Sequence, residues 1–233
     1  MESLTALRLF PRRGRLYDRR ACSEFFFAGA RLWNLAVNPD AYGAARHWYS
    51  LRMAGLSLYG GIAGAAVVLA VTARLLRIRL LPVLDAAVFP FVPAFCIARL
   101  GCFLNGCCGG IRTAMPWGVA FPSGRIDLVG LLSLEAPKVH PTQLYELALT
   151  AAGFPLCRRL ARKHPVPGLL FFSFSAWFHA LRLLVLPLRA LPYPAWVTKA
   201  AYPVLYVLCI FLAGSACRAL LKKPADAVSN PTV

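Results

Sequence analysis

Between Ala98 and Gly110 the sequence reads ARLGCFLNGCCGG, which gathers one guanidinium, three thiols, an amide and four glycines into a single stretch. Arginine presents a planar fork of donors suited to a phosphate, and glycine lets backbone approach a ligand closely. Further on, VHPTQLYEL (Val139–Leu147) packs His140, Gln143, Tyr145 and Glu146 into one short segment. Arg182 and Arg189 are seven residues apart, about two helical turns, so they share a helix face. Tyr59 precedes the glycine pair Gly60–Gly61. A cationic, glycine-lined cavity built from such groups suits the phosphate of an anionic phospholipid. Arg99, Arg182, Tyr59 and His140 are the candidate catalytic residues. Gly60, Gly61, Asn105, Gly106, Gly110, Gln143, Tyr145, Glu146 and Arg189 are the candidate substrate-binding residues. Simpler readings stand beside these. Arginines near a membrane edge snorkel to the interface, and Gly60 with Gly64 forms a small-xxx-small packing motif. Thr142 is placed to cap a helix whose first turn holds Glu146.

The elements that must position these groups are helices in a membrane. Of 233 residues, 59% are hydrophobic and only 15% charged, with a mean hydropathy of +0.60. A spanning helix needs ~20 mostly apolar residues. Ala54–Ala73, Leu81–Ala98, Gly168–Leu188 and Ala200–Cys217 supply such windows, and Gln143–Cys157 a shorter one. Ala21–Val37 is a weak sixth span, because Glu24 and Arg31 would each cost ~2.5–3.5 kcal/mol near a helix centre. The expected fold is therefore all-α, a polytopic transmembrane helix bundle with five clear spans plus one weak N-terminal span. Residues 1–20 form a basic cytoplasmic segment, 21–221 the bundle, and 222–233 a polar tail expected to be disordered.

The formal charge of +17 does not indicate nucleic acid. Arg74, Arg77 and Arg79, then Arg158, Arg159, Arg162 and Lys163, then Arg218, Lys222 and Lys223 each follow a span. Alternate loops carry the excess, as the positive-inside rule requires. Both termini are then cytoplasmic, while 99–142 and 189–199 face outward.

The blocks ARLGCFLNGCCGG, PWGVAFP and HPTQLYE, preceded by GLSLYGG and followed by ALRLLVLPLR, resemble the bacterial prolipoprotein diacylglyceryl transferases. The resemblance runs from about Gly29 to Arg189 and more loosely to the C-terminus. It implies a seven-helix, multi-pass enzyme of the bacterial inner membrane; no cofactor or metal is expected. Such an enzyme moves diacylglycerol from phosphatidylglycerol to the lipobox cysteine thiol of a preprolipoprotein and releases glycerol phosphate. Arg99 and Arg182 match the family's essential arginines. The departures are specific. Tyr59 stands where family members carry histidine, Cys102 where they carry asparagine, Cys107 where they carry glutamate, and Phe178 where a tyrosine is expected. The obvious proton acceptors are thereby lost, leaving His140, Glu146 or His179 to substitute. Cys102, Cys107 and Cys108 are candidates for a redox or metal role, for a disulfide, or for none. Two other functions stay open: a related lipid-using transferase with another thiol acceptor, and a non-catalytic membrane protein that binds lipid, thiols or metal.

Overall fold

The computed structural model describes residues 12–37, 57–121, 137–191 and 193–222. Among those residues the regular elements are all helices. In chain order the helices are α1 (Arg12–Val37), α2 (Leu58–Leu75), α3 (Leu80–Leu104), α4 (Thr142–Lys163), α5 (Leu169–Val185) and α6 (Tyr202–Leu221). A 3-10 turn (Leu186–Leu188) extends α5 and a π-helical turn (Val197–Ala201) leads into α6. Four of the expected spans become helices long and apolar enough to cross a membrane: Leu58–Leu75, Leu80–Leu104, Leu169–Leu188 and Val197–Leu221. The chain is a polytopic, all-α membrane protein. The other two expected spans, over Ala21–Val37 and Gln143–Cys157, are also helical, but neither α1 nor α4 is apolar enough to meet the same measure. Most of the N-terminal segment 1–20 and of the tail 222–233 lies outside the described residues.

The chain divides into two compact units. The first holds α1, α2 and the segment 193–197. Its helices meet through glycines. A Cβ on Gly29 would collide with the Gly60 carbonyl oxygen, one on Gly60 with that of Gly29, and one on Gly64 with that of Phe25. Gly61 lies under the Phe26 ring. Close backbone approach of this kind gives two helices dispersion contact where lipid supplies no hydrophobic drive. The buried Asn34 accepts a hydrogen bond from the Tyr193 hydroxyl at 3.4 Å.

The second unit contains α3 from Leu84 onward, α4, α5 and α6. Its core helix is α5: 44% of its spanning window is buried, against 17% for the windows of α3 and α6. Phe174, Phe178, Leu181, Arg182 and Val185 line its buried stripe. Phe91 and Phe95 of α3 meet the ring of Phe178 edge to face, with centroids 5.4 and 5.1 Å away. Gly153 of α4 receives the indole of Trp177, whose Nε1 donates to the Leu149 carbonyl at 2.8 Å. Tyr202 and Tyr206 stack on each other from α6. Asp85 explains the single acid in an otherwise apolar α3. Its carboxylate accepts from the N–H groups of Gly168 (2.6 Å) and Phe171 (2.8 Å), capping the N-terminus of α5. Two donors left without partners by helix geometry are satisfied in this way, beside the positive end of the helix dipole.

α4 is built inside out. Thr142, Gln143, Glu146 and Thr150 are buried, whereas Ala148, Ala151, Ala152 and Leu156 are exposed. A soluble helix would reverse that arrangement.

Candidate functional site

One carboxylate organises the site. Glu146, 1% exposed, sits one turn into α4 and receives three guanidiniums. Arg99 Nε lies 2.7 Å from its Oε2, Arg182 NH1 2.9 Å from Oε1, and Arg189 NH1 3.1 Å from the same Oε1. All three arginine side chains are nearly buried. The guanidinium of Arg99 also lies over the Phe95 ring, 4.8 Å from its centroid, a cation–π contact that follows from the i, i+4 spacing on α3. Among the described residues, three positive charges thus surround a single negative one, an excess of two. Burial makes that excess consequential, because charges removed from water interact strongly. Burial, followed by the neighbouring Arg182 charge, pushes the Arg189 guanidinium below its usual value, with Glu146 opposing.

The segment around Glu146 holds the loop that follows α3. Thr142 does not cap α4: Pro141 occupies the cap position, and the Thr142 hydroxyl donates to the Cys108 carbonyl at 3.1 Å. Gln143 Nε2 donates to the Cys107 carbonyl at 2.7 Å. Tyr145 accepts from Trp117 Nε1 at 2.7 Å, and its hydroxyl lies 3.3 Å from His140 Nδ1. HPTQLYE therefore serves two directions, Glu146 toward the arginines and the rest toward the loop.

Gly110 is the loop's closest approach. Its N–H donates to the His140 carbonyl at 2.9 Å, it bridges Arg189, and a Cβ there would collide with the Leu188 carbonyl oxygen. Ile111 N–H donates to that same carbonyl at 2.9 Å. This pairing fixes the backbone from which Arg189 reaches Glu146. Asn105 and Gly106 turn the chain out of α3; Gly106 has φ 66°, and Asn105 is exposed.

The three thiols of this loop meet. The Sγ atoms of Cys102, Cys107 and Cys108 lie within 4.8 Å of one another. Cys107 N–H donates to the Cys102 carbonyl at 3.0 Å, and Cys108 adopts φ 63°. Outside glycine that left-handed conformation is uncommon and marks a constrained position. The Cys108 thiol is held below its usual value, first by the thiol of Cys102 and then by the positive charges of Arg99 and Arg189.

Among the expected residues, then, Arg99, Glu146, Arg182 and Arg189 come together, with Gln143, Tyr145, His140, Gly110 and the cysteines holding the adjoining loop. Tyr59, Gly60 and Gly61 belong to the first unit, where both glycines pack against α1. His179 Nδ1 donates to the Ser175 carbonyl one turn back at 2.7 Å. Two residues escaped the sequence reading, Phe95 beneath Arg99 and Trp117 on Tyr145. Phe95 was detectable from its spacing; Trp117 gave no signal beyond its place in PWGVAFP.

Known proteins are similar to this chain. The phosphatidylglycerol–prolipoprotein diacylglyceryl transferase of Geobacter sulfurreducens is 33% identical over 133 residues, 56% of this chain and 47% of that protein. The protein of the same name from Mannheimia succiniciproducens is 37% identical over 118 residues, 50% of this chain and 38% of its own length. That from Bordetella parapertussis is 32% identical over 161 residues, 67% and 58% of the two chains. The matched part spans about half the length of these curated relatives. The family model for prolipoprotein diacylglyceryl transferase matches residues 20–223, and the chain belongs to that family.

Proposed function

We propose that the chain transfers the diacylglyceryl group of phosphatidylglycerol to a cysteine thiol, that of a prolipoprotein lipobox, and releases glycerol phosphate. The observation that carries this reading is the buried cluster of three arginines on one glutamate. A carboxylate has two oxygens and one charge, so Glu146 fans the guanidiniums out without neutralising them. A cluster of this charge suits an anion. As the carbon–oxygen bond to the phosphate breaks, negative charge grows on the departing group, and cations already in place stabilise it without reorganising. The arginine fork suits the phosphodiester oxygens. The acceptor must react as thiolate, and His140, held against the Tyr145 hydroxyl, is the candidate proton acceptor. The charge pattern of the loops favours a bacterial inner membrane with this site on its outer side.

The test is transfer of labelled diacylglycerol from phosphatidylglycerol to a lipobox peptide by the purified chain. Wild type is expected to form the thioether, and Arg182→Ala to lose about 100-fold or more in rate. A folded wild-type preparation that transfers nothing overturns the reading.

A further inference from the structure

We propose that Cys102, Cys107 and Cys108 bind a zinc ion whose fourth position takes the acceptor thiol, an inference about the acceptor side that rests on the transferase reading above. Three thiolates held tetrahedrally on one ion with bonds of ~2.3 Å lie ~3.8 Å apart. The observed sulfur atoms, all within 4.8 Å of one another, close by about 1 Å at most to reach that spacing. Backbone interactions hold them there. Cys102 lies in the last turn of α3, Cys107 is bonded back to its carbonyl, and Cys108 is held in a left-handed conformation that a cysteine does not adopt by preference. Thr142 and Gln143 then fix the carbonyls of Cys108 and Cys107 to the start of α4.

Ligand number and type point to zinc with an open position. Thiolates select soft or borderline ions. No fourth histidine, cysteine or carboxylate joins the cluster among the described residues. Structural zinc sites close with four protein ligands, whereas catalytic ones use three and leave one position open. Cys102 and Cys107 are half-buried and Cys108 is exposed, so an external ligand has an approach. Charge agrees as well. Zinc with three thiolates carries one net negative charge, in the same loop region as the three arginines gathered on Glu146.

The chemistry fits the departures from the family pattern. A thiol that coordinates zinc is deprotonated outright, so its proton passes to solvent and no strong protein base is required. The zinc-held sulfur attacks the diacylglyceryl carbon that bears the phosphate oxygen. A carbon–sulfur bond forms, the carbon–oxygen bond breaks, and its electron pair leaves on glycerol phosphate beside the arginines. The thioether, a weak ligand, then leaves the metal. Nothing is oxidised or reduced.

The experiment uses the full chain in detergent, loaded with zinc(II) or with cobalt(II) as a spectroscopic substitute. One zinc per chain is expected, with a thiolate-to-cobalt charge-transfer band and tetrahedral visible bands. Adding a lipobox peptide should shift the visible bands, whereas the same peptide with serine in place of its cysteine should not. Cys102→Ser, Cys107→Ser and Cys108→Ser should each lose the band while Cys157→Ser keeps it; the latter thiol is buried away from the loop. Removing zinc should cut transfer at least tenfold, and restoring zinc should return it. A chain that takes up no cobalt through thiolates, that carries a disulfide among these cysteines, or that transfers at full rate without metal overturns the proposal. A chain with the cobalt spectrum and peptide shift but no transfer overturns the transferase reading and leaves the metal site standing.

Discussion

Glu146 shows how a residue can be named correctly from sequence and its partners missed. In the sequence it reads as an acid near a helix start, where the dipole favours it, and Thr142 reads as the cap. The structure spends both differently, Thr142 on the Cys108 carbonyl and Glu146 on three arginines from other segments. Spacing within α4 cannot reveal partners 36 to 47 residues away in the chain. The charges themselves were legible, because arginines at membrane depth are costly unless used. Replacing Glu146 by glutamine tests this arrangement. Three buried guanidiniums would then face one another across a neutral amide, and breaking a buried ion pair costs about 3–5 kcal/mol. A large drop in thermal midpoint in detergent is expected. Arg99→Ala, which leaves two arginines for the one carboxylate, should lower stability less while reducing transfer about 100-fold. If Glu146→Gln melts like wild type, Glu146 is not the group that holds the cluster together.

Among the elements, the apolar helices were the most readable. The window Leu81–Ala98 falls inside α3, and Ala200–Cys217 inside the π-helical turn and α6 taken together; both helices run several residues past the C-terminal end of their window. Hydropathy marks the part of a helix within lipid, whereas backbone hydrogen bonding continues past it. Asp85 and the loop after α3 were not readable, since both depend on contacts distant in sequence. Asp85 holds the first N–H groups of α5 from α3. Asp85→Ala should therefore cost about 2 kcal/mol, at the upper end for losing a cap, and the fall in stability can be measured by unfolding in detergent; Asp85→Asn, which retains an acceptor oxygen, should cost less. Gly110 makes the complementary case. Its lack of a side chain admits the Leu188 carbonyl and the His140 side chain. Gly110→Val should displace the backbone on which Arg189 stands, and it is expected to lower transfer while leaving the far-ultraviolet helical signal unchanged. Full activity in that variant would mean the loop tolerates a shift that the close packing forbids.

At the scale of the whole molecule, composition and loop charge were enough to establish a polytopic membrane protein, but not to settle the number of crossings. α4 is where hydropathy fails, and the reason is physical. Averaging over a window charges Gln143, Glu146 and Thr150 against the helix, although all three are buried in protein. The residues that face outward are Ala148, Ala151, Ala152 and Leu156, and these are compatible with hydrocarbon. Polar residues turned inward with an apolar exterior are the pattern of a spanning helix that carries a site. By the positive-inside rule, the basic residues Arg158, Arg159, Arg162 and Lys163 at its C-terminal end are expected to hold that end on the cytoplasmic side. α4 is the only helix between the loop at Pro116 and the turn at His164 among the described residues, so a pair of reporters isolates it. A phosphatase that is active only after export, inserted after Pro116, should be active, and the same enzyme inserted after His164 should be silent. Activity at both positions, or at neither, would mean that α4 does not cross, and the arginine cluster on Glu146 would then need a water-facing explanation.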